Sequence, residues 1–308
     1  MKRFQRIYPA VFALALTAFS LYALLDTFVI ERVYAVSAAP AAVEAAAPAQ
    51  GPVALSAGNS EPAEPVVTPT SYVSDNLTVT LTTVRRNDTD IHVADVTFTD
   101  PAALRTAFAR SSYGRNVTAD TSDTAAAVGA VLAINGDNYG SRQTGYVIRG
   151  GVLYRDAAAK NQEDLVIWSD GSASIVCESD VTAAQLLSRG AREVFSFGPG
   201  LVSGGEITVS ENDEVGRAKA SNPRTAIGWL GAGHVVLVVS DGRTGDDEGL
   251  TLYELAEFMR SLGCETAYNL DGGGSSTMVF NGEVVNTPTG GHAGHGSGER
   301  AVTDILYF

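Results

Sequence analysis

Asn269-Leu270-Asp271-Gly272-Gly273-Gly274-Ser275-Ser276-Thr277-Met278 is the stretch that decides the fold. The apolar run that leads into it, Ala267–Leu270, is typical of a buried strand, and the carboxylate of Asp271 stands where that strand ends. The three glycines permit positive φ angles and let a ligand approach the backbone closely. Successive amides in such a turn form an anion-binding concavity, and the hydroxyl groups add donors. The stretch indicates chemistry on an anionic substrate, although an isolated Asp-Gly turn is more often only a turn.

Polar clusters follow two other apolar strands, and a fourth strand begins with one. Asn135–Asn138 comes after Ala130–Ile134, Asp241–Arg243 comes after the apolar strand His234–Val239 and Ser240, and Pro223-Arg224 opens the fourth strand. Strand ends carry sites because the scaffold fixes their position while the loops stay adaptable. The sequence therefore predicts two groups of site residues: catalytic Asp271, Arg224, Asn135 and Asp241, and substrate-binding Arg243, Gly272, Gly273, Ser275, Asp137 and Gly136.

The two arginines among these residues suit a phosphate or a carboxylate, because a guanidinium forms planar bidentate hydrogen bonds. One arginine alone is more often part of a surface ion pair, but two beside paired Asp-Gly motifs favour an anion site. The glycine turn lacks the Lys-Ser/Thr of a phosphate-binding P-loop, and no Gly-x-Ser-x-Gly elbow is present. The acidic run Asp246–Glu248 lacks EF-hand spacing, so no metal or cofactor is predicted, although a structural calcium ion stays conceivable. His292 and His295 favour loop polarity over metal binding.

The fold class predicted from turn chemistry is α+β, with mixed, largely antiparallel sheets and a few packed helices. Hairpin signals such as Gly150-Gly151, Asp170-Gly171 and Asn281-Gly282 outnumber helix crossovers. A capping box, Thr251 with Glu254, begins the clearest helix. A shorter helix is predicted over 123–128, capped by Asp123 or Ser122, and the strand over 91–98 carries a phase change that suggests a bulge.

Two segments are predicted before the main domain, a membrane anchor and a linker. Basic residues precede an uncharged span from Ile7 to Leu25, which is long enough to cross a bilayer as a helix. The length favours a retained single-pass anchor over residues 1–35, with the later domain extracytoplasmic, while the small residues after Tyr34 leave a cleaved signal peptide open. Residues 36–70 are rich in alanine and proline and predict a flexible linker, followed by one domain over 71–308.

The net charge limits the classes of partner, and the cysteine content limits disulfide pairing. The formal net charge of −14 argues against a nucleic-acid partner. The predicted partners are instead a sugar-phosphate or surface glycan substrate and the membrane. Cys177 and Cys264 make no disulfide framework, and we expect buried thiols, although an extracytoplasmic location would let them pair.

An ordered set of motifs resembles the phosphodiester glycosidase family, the domain of the enzyme that uncovers mannose 6-phosphate, with bacterial members labelled exopolysaccharide biosynthesis proteins. The resemblance covers roughly residues 75–308. It rests on Ala133–Gly136, Asn222–Gly228, Asp241–Arg243, Gly249–Thr251, Glu254–Ala256 and Asn269–Met278. One departure is Gly136-Asp137-Asn138-Tyr139, where the family often has Gly-Gly-Phe-Phe. It bears on the substrate more than on the reaction type.

The resemblance implies hydrolysis of a sugar-1-phosphodiester at the glycosidic bond, on a cell-surface polysaccharide or a teichoic-acid-like substrate. In that reaction Asp271 would be the carboxylate at the sugar, and Arg224 with the amides of Gly272–Ser275 would hold the phosphate. Asn135 and Asp241 would hold sugar hydroxyls or orient the arginines, and Asp137 is a second carboxylate candidate. The alternative is a non-catalytic glycan-binding or assembly module, which would keep the cleft without needing both arginines near the carboxylate.

Overall fold

The described residues form one nine-stranded, two five-stranded and one two-stranded β-sheet, all antiparallel. The computed structural model describes residues 4–34, 64–213, 221–291 and 298–308. In those ranges the helices are α1 (Phe4–Phe28), α2 (Thr121–Val128), α3 (Ala183–Ser188) and α4 (Leu252–Ser261). The strands are β1 (Arg32–Val33), β2 (Val66–Thr68), β3 (Ser71–Val73), β4 (Leu77–Arg86), β5 (Thr89–Phe98), β6 (Arg105–Phe108), β7 (Gly114–Arg115), β8 (Leu132–Asn135), β9 (Val147–Arg149), β10 (Val152–Arg155), β11 (Glu163–Trp168), β12 (Ala173–Cys177), β13 (Ala191–Phe195), β14 (Gly200–Ser203), β15 (Glu206–Ile207), β16 (Arg224–Gly231), β17 (His234–Ser240), β18 (Thr266–Asn269), β19 (Met278–Phe280), β20 (Glu283–Val284) and β21 (Asp304–Tyr307).

The strand order confirms the predicted α+β class. The largest sheet has nine strands in the order β15-β14-β18-β16-β17-β5-β4-β3-β2. The two five-stranded sheets run β10-β9-β13-β11-β12 and β20-β19-β8-β21-β6. The predicted hairpins β9–β10, β11–β12 and β19–β20 all form, and every strand pair in the described ranges is antiparallel.

The central strands of the nine-stranded sheet are buried on both faces, which explains the phase change in β5. Ile91 and Val93 point to the core beneath α4, whereas Val96 and Phe98 point to the opposite core, which the five-stranded sheets complete. The pairing of β4 with β5 runs in unbroken register from one end to the other. The predicted bulge is therefore wrong, because the apolar residues change face between two cores and not because the strand bends.

The helices begin largely as the sequence predicts. The Thr251 and Glu254 capping box forms at the start of α4, which buries Leu255 and Met259 against the large sheet. The cap predicted for α2 is wrong, because the helix begins at Thr121, before the predicted start, and its N-cap is Asp120. Both cysteines are free, and only Cys264 is buried, so the expectation of two buried thiols is wrong for the half-buried Cys177.

The N-terminal region contacts the domain directly. Helix α1 is long and apolar enough to span a membrane, and β1, which follows it, pairs with β7 of the domain. Residues 36–63 of the predicted linker lie outside the described ranges. Its last residues are ordered, because Val66–Thr68 forms β2 against β3, so the nine-stranded sheet begins before the boundary we predicted at residue 71.

Candidate active site

The ends of four strands, β8, β16, β17 and β18, lie close together. Antiparallel pairing sets β18 beside β16, and β16 beside β17, with Arg224 opposite Ser240. Beyond the strand ends the Leu270 amide donates to the Thr225 carbonyl at 2.9 Å, and the Gly273 amide donates to the Pro223 carbonyl at 2.8 Å. The end of β8 joins them through Asn135, whose Nδ2 donates to the Asp271 carbonyl at 2.6 Å. Residues far apart along the chain therefore meet around the glycine turn, as the sequence predicts.

Asn135 and Gly136 support the turn from below. Oδ1 of Asn135 accepts from Thr225 Oγ1 at 2.8 Å and from the Thr277 amide at 3.2 Å, and the side chain is fully buried. The Gly136 carbonyl accepts from the Asp271 amide at 3.3 Å. Because every polar atom of the Asn135 amide is bonded within the protein, its role in this structure is to position the peptide of Asp271.

Asp271 is held by an arginine that the sequence reading did not single out as a site residue. Arg300 donates from Nη2 to Asp271 Oδ2 at 3.0 Å, and from Nε to Ser275 Oγ at 2.8 Å. Burial raises the pKa of the Asp271 carboxyl above its usual value, and the charge of Arg300 offsets part of that rise. The carboxylate is 12% exposed, so it is both desolvated and reachable from solvent.

Arg224 and Arg243 lie against the same turn. A Cβ built on Gly272 would lie 3.8 Å from Arg224 Cδ, and one built on Gly273, whose φ is +63°, would lie 3.2 Å from Arg243 Nη2. Arg224 Nε donates to the Leu250 carbonyl at 2.8 Å, and Arg243 Nε donates to Asn222 Oδ1 at 2.9 Å. Within the described ranges neither guanidinium forms a salt bridge. Burial first, and then the charge of Arg243, lower the pKa of Arg224 to about 10, so it stays a cation at neutral pH.

The backbone amides of the turn are only partly available to an anion. The Gly273 amide donates to Pro223, and the Ser275 amide donates to the Gly272 carbonyl at 3.4 Å. The predicted cradle of four amides is therefore reduced to those of Gly272 and Gly274, which find no acceptor in the described part of the chain. Arginine side chains, and not a nest of amides, supply most of the positive charge.

Both carboxylate oxygens of Asp241, a predicted site residue, are bonded within the protein. Oδ2 pairs with His92 Nε2 at 3.0 Å, and Oδ1 accepts from the Thr287 amide at 2.7 Å and from Asn286 Nδ2 at 3.3 Å. Asn286 also donates to the Ser276 carbonyl at 3.0 Å. Asp241 therefore ties the loop after β20 to the nine-stranded sheet, because its carboxylate oxygens are occupied by these partners.

The carboxylate of Asp137 is also bonded within the protein interior. Its carboxylate accepts from the Ser196 amide at 3.0 Å and pairs with Arg149 Nη2 at 3.2 Å. Arg149 in turn donates to Asp304 Oδ2 at 2.7 Å and stacks on the ring of Phe195 at 4.1 Å. These buried residues, Asp137, Arg149 and Asp304, form a closed ionic cluster, which leaves Asp137 unsuited to the substrate contact we predicted.

A cleft lies beside the loop after β13, which is bonded to the strand that precedes the glycine turn. Asn269 Nδ2 donates to the Gly198 carbonyl at 2.8 Å, and this loop lines a cleft of about 540 Å³. Arg142 lines the same cleft, and its charge lowers the pKa of Asp271. The calcium alternative has little support, since Asp247 pairs with Arg85 at 2.9 Å. His292 and His295 lie outside the described residues.

Sequence comparison places these residues in a known context. The sequence model described as phosphodiester glycosidase matches residues 128–308, which carry Asp271, Arg224, Arg243 and Arg300. The SPbeta prophage-derived uncharacterized protein YomE of Bacillus subtilis is 34% identical over 182 residues, or 58% of this chain and 27% of that protein. The mouse N-acetylglucosamine-1-phosphodiester alpha-N-acetylglucosaminidase is 39% identical over 87 residues, or 27% of this chain and 17% of the mouse enzyme. The chain thus spans about a quarter or less of these relatives.

A solved structure shares the fold. The catalytic domain of the zebrafish N-acetylglucosamine-1-phosphodiester alpha-N-acetylglucosaminidase, auto-inhibited by its pro-peptide, superposes with a TM-score of 0.60. The match covers 75% of this chain and 82% of the zebrafish chain at 21% identity.

Proposed function

The chain belongs to the phosphodiester glycosidase family, and from that premise we propose that it hydrolyses the glycosidic bond of a sugar-1-phosphodiester. The products are a free sugar and a phosphomonoester. The substrate is a phosphodiester-bearing surface glycan, either a polysaccharide or a teichoic-acid-like polymer. With α1 as a retained membrane anchor, the domain acts on the extracytoplasmic side of the membrane.

One observation carries the proposal: three arginines and one carboxylate meet at the glycine turn, and Arg224 and Arg243 form no salt bridge with a described residue. The charge of Arg243 lowers the pKa of Arg224, and Arg224 is 3% exposed. A buried cation beside a second, exposed cation favours an anion, and a phosphodiester supplies one. Asp271 is the residue next to the glycine that Arg224 contacts, so an anion on the arginines lies beside a carboxylate.

The phosphate leaves more readily when its charge is stabilised, since it is a weak base that needs little protonation. Arg224 and Arg243 supply fixed positive charge to the phosphate oxygens as the bond to the sugar breaks. The amides of Gly272 and Gly274 are available to complete this contact. Because Arg224 is buried, its interaction with the phosphate is stronger than at the surface.

Asp271 acts at the sugar carbon that becomes positively charged. An ionised carboxylate there stabilises an oxocarbenium-like transition state, as nucleophile, base or electrostatic partner. Arg300 holds the carboxylate at a fixed position through Oδ2 and favours its ionised form. The bond between Arg300 and Ser275 fixes the arginine in turn. The carboxyl groups of Asp137 and Asp241 are committed to other partners, which leaves Asp271 to carry this role.

The test is hydrolysis of UDP-N-acetylglucosamine and of a simple alkyl diester of N-acetylglucosamine 1-phosphate in ¹⁸O-labelled water. We expect the label in the released sugar, because the bond between the sugar carbon and oxygen is the one that breaks. Label in the phosphate would mean that a phosphorus–oxygen bond breaks and would overturn the proposal. Asp271→Asn is expected to reduce kcat/KM at least about a hundredfold with an unchanged melting temperature.

Asp156→Asn is the matched control, because Asp156 is exposed and lies outside the site. It is expected to retain full activity. A fully active Asp271→Asn protein would remove Asp271 from the reaction. Saturable binding of the diesters without turnover by the unmodified protein would favour a glycan-binding module instead.

A further inference from the structure

A second cleft opens where the N-terminal segment meets the domain. It has a volume of about 320 Å³ and lies between β1 and the loops that follow β7 and β8. Three tyrosines and three arginines dominate its lining: Tyr34, Tyr113, Tyr139, Arg115, Arg142 and Arg155. We call it the tyrosine–arginine cleft. Asp271 does not line it, and Arg142 is shared with the cleft beside the loop after β13.

The charge of this cleft opposes that of the whole protein. No acidic residue is among the residues that line it, although the chain has a net charge of −14. Arg142 donates to the Ser196 carbonyl at 2.9 Å and Arg155 to the Tyr139 carbonyl at 2.8 Å. Neither forms a salt bridge with a described residue, whereas Arg115 forms a long ion pair with Asp26 at 3.7 Å. Arg142 and Arg155 are thus oriented by neutral carbonyl groups, which leave their charge uncompensated for an anion.

The tyrosines form one wall of the cleft. The rings of Tyr113 and Tyr139 stack with centroids 5.0 Å apart, and the ring of Tyr34 lies 5.8 Å from that of Tyr113. The amide of Tyr34 donates to the Tyr113 carbonyl at 3.0 Å, which continues the pairing of β1 with β7. The N-terminal segment therefore completes the cleft instead of hanging free of the domain.

The cleft lies at the end of the helix that can span a membrane. Arg115 Nη2 donates to the Thr27 carbonyl at 3.4 Å, and Asn116 Nδ2 donates to the Ile30 carbonyl at 3.0 Å. These contacts join the domain to the last turn of α1 and the residues after it. With α1 inserted, the cleft stands at the depth of the lipid headgroups, where tyrosine is enriched and arginine attracts anionic lipids.

We propose that the tyrosine–arginine cleft binds the phosphate headgroup of an anionic membrane lipid. The phosphate oxygens accept from the free donors of the arginines, and the glycerol backbone packs on the tyrosine wall. The bound lipid orients the domain against the bilayer. The proposal requires α1 to be a retained span, but it is independent of the hydrolase activity.

The experiment is native mass spectrometry of the full-length chain in detergent, titrated with dioleoyl phosphatidylglycerol or dioleoyl phosphatidylcholine. We expect retention of one phosphatidylglycerol in preference to phosphatidylcholine. Arg115→Gln with Arg142→Gln is expected to reduce that preference by about fivefold per arginine. Arg189→Gln, an exposed arginine far from the cleft in sequence, serves as the control and should retain it.

Arg115→Gln alone guards against misfolding, because Arg115 lies at the rim and makes only long hydrogen bonds. Equal retention of the two lipids, or a double variant that binds like the unmodified chain, would overturn the proposal. Soluble glycerol phosphate separates the two possible sources of the phosphate group. Displacement of the lipid below about 1 mM glycerol phosphate would assign the cleft to a soluble ligand, whereas persistence of the lipid supports the membrane.

Discussion

The closed ionic cluster and the glycine turn both combine arginine and aspartate side chains, but the balance of charge differs between them. Around Arg149, two carboxylates and two carbonyl groups surround one cation, and its side chain is 4% exposed. At the glycine turn, Arg300 pairs with the Asp271 carboxylate, whereas Arg224 and Arg243 lie against the neighbouring glycines without a salt bridge to a described residue. The first arrangement leaves no position for a ligand, whereas the second needs one more anion. The difference teaches that the balance of charge, and not burial alone, separates a structural cluster from a binding site.

The largest effect is expected from breaking the closed cluster. Arg149→Met leaves the carboxylates of Asp137 and Asp304 buried without their cation, which costs about 3–5 kcal/mol of unfolding free energy. Urea unfolding of the purified domain measures this loss. The control is Arg189→Met, which changes an exposed arginine and should leave the midpoint unchanged. An unaltered midpoint for Arg149→Met would mean that the cluster does not stabilise the junction between the sheets.

The next effect tests the open site. Arg224→Ala removes a cation that has no carboxylate partner, so we expect little loss of stability but a fall in kcat/KM of about a hundredfold. Arg224→Lys keeps the charge without the planar fork and should recover only part of the rate. Arg86→Ala is the control, because Arg86 is an exposed arginine on β4. Loss of stability without loss of rate would assign Arg224 to the same structural class as Arg149.

The pH profile sharpens the role of Arg300. Burial raises the pKa of Asp271 and Arg300 lowers it, so the active ionised carboxylate is lost as pH falls through that pKa. Arg300→Gln removes the lowering effect, and the acidic limb of kcat/KM should move to higher pH, with a rate loss of about tenfold near neutrality. A limb that stays in place would show that another group titrates in the reaction.

The smallest effect concerns a buried acid away from both regions. Burial, followed by the charge of Glu178, raises the pKa of Asp164 to about 10. The folded protein therefore keeps a proton that the unfolded chain releases, and stability falls as pH rises from about 4 toward 10. Asp164→Asn removes this dependence and should raise the melting temperature at pH 8 by about 2–4 °C. Differential scanning calorimetry at pH 5 and pH 8, with Asp156→Asn as the control, measures the difference.

The sequence predicts the parts of the fold that local chemistry determines. Turn residues set the hairpins, and Thr251 with Glu254 sets the start of α4. Strands of two to four residues, such as β6 and β7, leave too weak a pattern because their partners are distant. The pair β6 and β21, for example, joins Arg105 to Tyr307. The flexible linker predicted over residues 36–70 stays a prediction for residues 36–63, which lie outside the described ranges.

The site was predicted where strand ends carry it, and missed where long-range contacts assemble it. Asp271, Arg224 and Arg243 follow or begin apolar strands, so alternation and glycine reveal them. Arg300 precedes the last strand without a motif of its own, and only the contact of its backbone with Gly274 brings it to the turn. Asp241 resembles a site residue in sequence. However, the strand register places His92 beside Val239, and the histidine therefore bonds to the carboxylate of Asp241.

The burial of β5 and β17 on both faces has a consequence for how the domain comes apart. Each strand contributes alternate side chains to the core beneath α4 and to the core shared with the five-stranded sheets. Neither core can lose its packing without exposing the strand that the other depends on. The domain therefore unfolds cooperatively, and a fragment that ends within these strands has no independent stable form.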